Sequence, residues 1–441
     1  MRFEAKKVVK FGGSSLADAK QFKKVKDIIF ADKARRFVVP SAPGKRFSGD
    51  TKVTDLLLLS HKQAVAGEDF SGTLTLIKER YQSIIDELGL SVVLDGEFEK
   101  IENRLKSGCP SDYIASRGEY LNGMLLADYL GYEFVDAASV VFFNEKGVFE
   151  PNKTNRVMGH VLDSCENAVI PGFYGSDPTG EIVTFSRGGS DVTGAVVARA
   201  VTACVYENWT DVSGILMADP RIVDAPKPIS TVTYRELREL AYMGASVLHE
   251  DAIFPVKMAG IPINIKNTNA PEAAGTMIVA TTEEYQSEYI ITGIAGKKGF
   301  SLINIEKDMM NSELGFGMRV LQVLDSMGIS FEHLPSGIDT MSVIVAQSFI
   351  AGREREILSK ISALVSPDNI DIEKGIALIA VVGRGMIRTQ GTASRIFEAL
   401  ARAGVNIRMI DQGSSELNII IGVEEHDFDA AIKTIYDEFV G

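Results

Sequence analysis

Apolar positions along the chain follow two alternating rhythms. Short runs such as VVKF (8–11) and FVVP (37–40) have the all-apolar character of strands buried on both faces. Between them, Phe22, Val25, Ile28 and Ile29 recur at helical spacing, which predicts a helix over 17–31. The same reading predicts helices over 54–66, 71–88, 96–106 and 117–130. Strand-like runs fall at 7–11, 36–44 (ending in a Ser/Pro/Gly loop), 133–135, 168–173, 181–184, 201–209 and 263–268. Strands alternating with helices of this length predict an α/β unit with a mainly parallel sheet.

The rhythm changes after PEAAGTMIVATTEEYQSEY (271–289), and an internal repeat takes over. RVLQVLDSMGISFEHLPSG (319–337) aligns without gaps to RIFEALARAGVNIRMIDQG (395–413), and MSVIVA (341–346) continues against LNIIIG (417–422). Arg319/Arg395, Leu324/Leu400, Gly328/Gly404 and Gly337/Gly413 are identical. Each copy reads helix, glycine stop, strand, glycine turn, strand, with further strands expected at 302–309 and 377–383 and a last helix over 428–439. A duplicated α/β module is the simplest account.

Composition narrows the function classes. The 441 residues carry 46 Lys and Arg against 59 Asp and Glu, a net charge of −13. That argues against a general nucleic-acid surface or an anionic membrane as partner. No apolar run approaches a membrane span, and MRFEAKKVVK has no signal-peptide core, so a cytoplasmic protein is expected. The three cysteines (Cys109, Cys165, Cys204) are too scattered for a disulfide framework or a CxxC metal site, and no resident metal is expected.

Four stretches carry residues suited to chemistry. KFGGSS (10–15) places a lysine before a glycine pair and a predicted helix, either a phosphate cradle or a tight turn. A P-loop would put its lysine after the last glycine. In the cradle reading, Gly12 and Gly13 let the backbone approach phosphate oxygens. Ser14 or Ser15 serves equally as a plain N-cap. FSRGGSDVTGAVVARA (185–200) repeats the plan, with Arg187 able to grip a carboxylate or phosphate and Asp191 able either to cap the helix or to orient a lysine. SRGEYLNGM (116–124) puts Arg117 and Glu119 in the first turn of the predicted helix, where Glu119 either suits the helix dipole or binds an ammonium group. NWTDVSGILMADPR (208–221) follows a strand and offers Thr210, Asp211 and Arg221 to a nucleotide, or simply forms a turn.

In order, KFGGSS (10–15), SAPG (41–44), RGE (117–119), RGGSD (187–191), TDVSGI (210–215), DPR (219–221) and MGASVLHE (243–250) resemble the motifs of aspartate kinases, of the amino acid kinase superfamily. The C-terminal repeat resembles the tandem ACT modules of that family. The resemblance implies an amino acid kinase fold over 1–282, a mainly parallel sheet flanked by helices. Two ferredoxin-like βαββαβ ACT modules would follow at 283–374 and 375–441, their threading left open. It implies transfer of the γ-phosphoryl group of Mg-ATP, the metal held mainly by the nucleotide phosphates, to the side-chain carboxylate of L-aspartate. That is the first step of lysine, threonine and methionine biosynthesis. A carboxylate is already ionised at neutral pH, so no general base is required.

By the same resemblance, Lys10 neutralises the transferring group and Asp191 positions it. Ser41, Thr54, Glu119, Arg187, Gly188, Gly189 and Ser190 form the aspartate pocket. Gly12, Gly13, Ser14, Thr210, Asp211, Leu216, Arg221, Ser246 and Val247 hold ATP. An amino-acid effector, lysine first and threonine second, would bind at Gly315, Phe316, Gly317, Ser330, Phe331, Glu332, Asp339 and Thr340, in a homodimer or dimer of dimers. Three positions depart from the family pattern: Leu216 replaces a frequent Tyr, Ser246 a common Lys and Glu250 a usual Pro. The loop SAPGKRFSGDTKVTD carries an insertion at 45–53, and Lys45, Arg46 or Lys266 is a candidate to replace the missing nucleotide contact. Two alternatives remain: another kinase of the superfamily, or a non-catalytic amino-acid sensor.

Overall fold

The computed structural model describes residues 5–186, 188–245, 248, 250–280, 289–387 and 389–441, without the side chains of 250–253. The chain divides into two compact units. The first comprises Met1–Ile215, Ser230–Tyr234 and Val247–Tyr285. The second takes Leu216–Ile229 and Arg235–Ser246 in addition to Gln286–Gly441.

Up to residue 280 the strands and helices that the apolar rhythm predicts are present, together with others that it does not mark. They are β1 (Lys7–Phe11), α1 (Ala19–Phe30), β2 (Arg35–Pro40), α2 (Val53–Ala66), α3 (Ser71–Leu88), α4 (Asp95–Ser107), α5 (Ser111–Leu130), β3 (Glu133–Phe134), α6 (Pro151–Asp163) and β4 (Ala168–Val169). There follow β5 (Tyr174–Ser176), β6 (Ile182–Thr184), α7 (Gly189–Ala200), β7 (Val205–Thr210), β8 (Thr231–Thr233), α8 (Tyr234–Tyr242), α9 (Glu250–Ala259), β9 (Ile263–Asn267) and β10 (Thr276–Val279). Eight strands form one sheet in the order β3-β4-β2-β1-β7-β9-β10-β8, parallel throughout except between β9 and β10. Such a sheet buries both faces, which is why β1 and β2 read as unbroken apolar runs. Phe11, Phe22, Val25, Ile29, Ile77, Tyr81, Leu121 and Leu125 form the core under α1, α3 and α5.

Three local expectations are corrected. Helix α5 begins at Ser111, not at 117, because Pro110 supplies an extended start and the polar first turns still pack. The strand expected over 168–173 is only Ala168–Val169, ending ahead of Pro171. The run 201–209 becomes a strand only from Val205, since Thr202 sits at positive φ after α7.

In the second unit, β11 (Gly293–Glu306), α10 (Phe316–Ser326), β12 (Thr340–Ala346), α11 (Gln347–Ile350), α12 (Glu354–Val365), β13 (Asn369–Val382), α13 (Thr392–Arg402), β14 (Ile407–Asp411), β15 (Asn418–Glu424) and α14 (Phe428–Val440) surround a single five-stranded antiparallel sheet, β12-β11-β13-β15-β14. The strands expected at 302–309 and 377–383 are the ends of two 14-residue strands, β11 and β13. They pair along their whole length, with register shifts between Lys297 and Ser301. On one side of that shift β11 also pairs with β12, and on the other β13 pairs with β15, so each long strand serves both modules. The strand expected after the Gly328 stop reduces to isolated bridges at His333 and Ser336, whereas its counterpart in the second copy is the regular β14.

Candidate active site

Strands β1 and β7 lie side by side with Lys10 opposite Asn208, so both side chains leave the same face of the sheet. Helix α7 packs on that face and presents Asp191 from its first turn. Lys10 Nζ lies 2.6 Å from Asp191 Oδ1, and Asn208 Nδ2 donates to the same oxygen at 2.8 Å. The Tyr206 hydroxyl donates to the Asp191 carbonyl oxygen at 3.1 Å, fixing the turn that carries it. Asp191 is therefore an orienting partner of Lys10 and not a cap; the cap position is Gly188, held at φ 57°. Asn208 escaped sequence reasoning, although its register opposite Lys10 is what alternation along two paired strands would predict.

Beyond β1 the chain turns on Gly12, whose amide donates to the Trp209 carbonyl at 3.0 Å. Gly13 then meets Gly44 backbone to backbone, the Gly44 amide donating to the Gly13 carbonyl at 2.8 Å. A Cβ on Gly13 would lie 2.9 Å from the Ala42 carbonyl oxygen, and one on Gly44 only 2.6 Å from the Gly13 carbonyl carbon. Both glycines are required because two loops touch. Residues Gly13–Leu16 form a short 3-10 turn, and α1 starts only at Ala19 with Asp18 as its cap, accepting from the Gln21 amide. Neither serine caps the helix. Ser15 turns inward and bonds the Thr268 hydroxyl at 2.7 Å, while Ser14 faces the cleft.

The cleft measures about 600 Å3. Gly12, Gly13, Ser14, Ser41, Thr54, Glu119, Thr210 and Asp211, all expected from the sequence, line it together with Ala42, Pro43, Gly44, Lys45, Phe47, Ser48 and Lys52. Thr210 donates to Asp211 at 3.2 Å. Asn122, one turn beyond Glu119, donates to the Ser41 carbonyl at 2.6 Å and fastens the SAPG loop to α5.

Glu119 lies in the third turn of α5, so the helix-dipole reading falls away. It is 6% exposed, and one carboxylate oxygen has no hydrogen-bond partner. Burial pushes its carboxyl up to about 8, with the Ala42 backbone N–H and the Arg117 charge offsetting part of that rise. Arg117 is buried as well, its guanidinium 4.4 Å from the Tyr120 ring centroid, 4.8 Å from that of Tyr113 and 5.4 Å from that of Tyr174.

Gly189 and Ser190 are buried in the first turn of α7. Arg187, Ser246 and Val247 lie outside the described residues. Leu216 and Arg221 belong to the second unit, where the exposed Arg221 pairs with Asp219 at 2.5 Å. Two of the three candidates for a replacement nucleotide contact are already engaged. Arg46 donates to Asp50, and Lys266 donates to the Ala273 carbonyl at 2.7 Å while lying over the Trp209 ring.

In the second unit, Gly315 takes positive φ at the start of α10, Phe316 is buried beneath it and Gly317 follows in the first turn. Glu332 accepts from the Tyr242 hydroxyl. Asp339 accepts from the Met309 amide at 2.9 Å, and Thr340 opens β12. Ser330 and Phe331 are exposed. A cavity of about 450 Å3 lies in the second repeat, lined by Gly391, Thr392, Gln412 and Glu416. Gly391 and Thr392 are the repeat counterparts of Gly315 and Phe316, and the alignment of the two copies was the signal that could have found them.

Residues 5–267 match the model of the amino acid kinase family, and residues 379–439 match that of the ACT domain. Aspartokinase 3 of Bacillus subtilis is 41% identical, over 98% of each chain. The crystal structure of Clostridium acetobutylicum aspartate kinase superposes with a TM-score of 0.91 at 52% identity, covering 99% of this chain and 100% of that one. Aspartokinase III of Escherichia coli, solved with aspartate and ADP and again with lysine and aspartate, superposes with TM-scores of 0.72 and 0.74 at 26% identity, covering 98% or more of each chain. The chain belongs to the amino acid kinase family. Its branch is that of the aspartate kinases, ATP-dependent enzymes that phosphorylate a carboxyl group.

Proposed function

We propose that the cleft of the first unit binds ATP and L-aspartate side by side and transfers the γ-phosphoryl group to the side-chain carboxylate. An aspartate carboxylate oxygen forms the new P–O bond as the bond to the ADP oxygen breaks, giving 4-phospho-L-aspartate and ADP. The observation that carries this reading is the Lys10–Asp191 pair at 2.6 Å beside the Gly12–Gly13 turn. Lys10 neutralises charge on the moving phosphoryl group, and Asp191 with Asn208 holds its ammonium in place. The Gly12, Gly13 and Ser14 backbone receives phosphate oxygens, with Thr210 and Asp211 at the nucleotide end. Arg221, Leu216, Ser246 and Val247 remain further nucleotide-contact candidates on the family resemblance alone.

Glu119 receives the aspartate ammonium, which supplies the partner its buried carboxyl lacks. Ser41, Thr54, Arg187, Gly188, Gly189 and Ser190 hold the rest of the amino acid. The lining is rich in lysine, hydroxyls and backbone N–H groups and suits anions, so Mg2+ enters on the nucleotide's phosphate oxygens and not in a cage of its own. There it would neutralise phosphate charge.

The second unit reads as an amino-acid sensor of two ACT modules that share β11 and β13. Lysine is the favoured effector, supported by the E. coli relative solved with lysine and aspartate. The site is Gly315, Phe316 and Gly317 at the α10 start with Ser330, Phe331, Glu332, Asp339 and Thr340. The enzyme acts as a cytoplasmic homodimer or dimer of dimers; among the described residues no helix is long and apolar enough to cross a membrane. ADP release tests the reading. L-aspartate should stimulate it strongly over glutamate, acetylglutamate and carbamate, and added lysine should suppress it more than threonine does. A folded sample in which aspartate has no effect overturns it.

A further inference from the structure

Residues 44–50 form a strap tied down by one carboxylate. Asp50 Oδ2 accepts from the Arg46 amide and Nε, both at 2.9 Å, and from Arg80 Nη1 at 2.7 Å, while Oδ1 accepts from Arg46 Nη2 at 3.0 Å. Arg80 is buried on α3 and spends its other donors on the Gly44 carbonyl at 2.5 Å and the Ala17 carbonyl at 3.2 Å. One guanidinium therefore joins the strap to helix α3 and to the chain just past the glycine turn. The hydrogen bonds from Arg46, with those of Arg80 behind them, hold the Asp50 carboxyl well below the usual carboxylate range. A surface loop built for solubility alone has no need of such an anchor.

The anchor consumes Arg46 and Arg80 but leaves Lys45 uncommitted. Among the described residues no hydrogen bond or ion pair involves Lys45 Nζ, yet Lys45 lines the cleft. Its neighbour Gly44 is bonded to Gly13, so Lys45 stands where the glycine turn meets the SAPG loop. Gly12, Gly13, Ser14, Ser41 and Thr54 line the same cleft. An anionic acceptor must approach an anionic polyphosphate there. Asp191 already compensates much of the Lys10 charge, so a further protein cation beside the nucleotide's Mg2+ would ease that approach.

We propose that Lys45 is a second cationic contact of the transferring phosphoryl group, held over the cleft by the Asp50–Arg80 anchor. This rests on the phosphoryl-transfer reading of the cleft. Lys45 moves no proton; it stabilises negative charge on the equatorial oxygens while the bond to ADP breaks and the bond to the carboxylate forms. Asp50 is a positioning residue that acts through it.

Steady-state kinetics on the full-length enzyme test this. Lys45→Met should lower kcat by about 100-fold, and Lys45→Arg should recover most of it. Asp50→Asn should lower kcat by about tenfold, and the double variant should be no slower than Lys45→Met alone. Thermal melts of Lys45→Met should match the parent, since its side chain is exposed. A Lys45→Met kcat within twofold of the parent overturns the proposal, as does a rise in KM for ATP with kcat unchanged. Additive losses in the double variant overturn the anchoring role. A parent enzyme without aspartate-dependent ADP release would instead overturn the reading of the cleft.

Discussion

Strands β1 and β7 carry a buried ion pair on each face, and the two are built differently. On one face Lys10 meets Asp191 and Asn208 beside the cleft. On the other, Glu207 is 3% exposed and takes Arg35 Nε at 2.9 Å, Arg35 Nη2 at 3.3 Å, the Trp209 indole N–H at 2.9 Å and Lys7 at 3.4 Å. Glu207 takes four donors from three side chains, so that cluster ties the strands of the sheet together. Among the described residues Asp191 takes Lys10 and Asn208 on one oxygen, with Lys10 Nζ beside the Gly12 turn of the cleft. A shift of one residue along the strand separates a structural charge cluster from a chemical one.

That contrast can be broken by mutation. The largest effect belongs to Lys10→Ala, which should cut kcat by about 10³-fold or more with a denaturation midpoint close to the parent. Turnover retained by that variant would remove the role assigned to Lys10. Glu207→Ala should do the reverse. It strips Arg35 and the Trp209 indole N–H of their acceptor, while Lys7 keeps Asp32 at 2.9 Å; the loss costs about 3 kcal/mol in urea unfolding, and kcat per folded molecule stays within about twofold. If activity per folded molecule collapses instead, the two faces are not separable.

Glu119 sharpens the comparison through pH. Its folded carboxyl, up to about 8, lies above the ordinary value of 4.5, so the free protein keeps a proton there that the unfolded chain gives up. This group therefore reduces stability progressively as pH rises from 4.5 to about 8. An aspartate ammonium needs the ionised form, so binding should release a proton. KM for aspartate should fall between pH 6 and 8, by at most about tenfold per unit, and Glu119→Gln should flatten that slope. A parent KM constant across that range would count against the ammonium contact. The smallest effect separates neighbouring serines. Ser15→Ala loses the Thr268 bond and about 1 kcal/mol of stability with KM for ATP unchanged, whereas Ser14→Ala raises KM for ATP by a few fold and leaves the melt alone.

Much of the fold was legible because local signals agreed. The helices predicted over 54–66 and 71–88 end where Gly67 and Gly89 take left-handed φ, and both boundaries were readable from the glycines. The start of α5 was not, because its first turns are polar and no apolar period marks them. The threading of the repeat was hidden for another reason: residues 293–297, ahead of the first copy, pair with 378–382, ahead of the second. In the site, the motifs carried Lys10, Asp191 and Glu119. Asn208 opposite Lys10, Tyr174 over Arg117 and the Asp50–Arg80 anchor each join separate segments, and no single local spacing encodes such meetings; Tyr113 and Tyr120 flank Arg117 at helical spacing.

The shared ladder of β11 and β13 has a consequence for how this gene can change. A chain stopped after residue 374 would strip Gly293–Lys297 of its partners, since these pair with Leu378–Val382. It would leave a raw strand edge, a template for aggregation and a target for cellular quality control. Regulation in this enzyme is therefore open to drift by substitution but closed to trimming. A frameshift in the last repeat should be read as loss of the whole protein, not as release from inhibition.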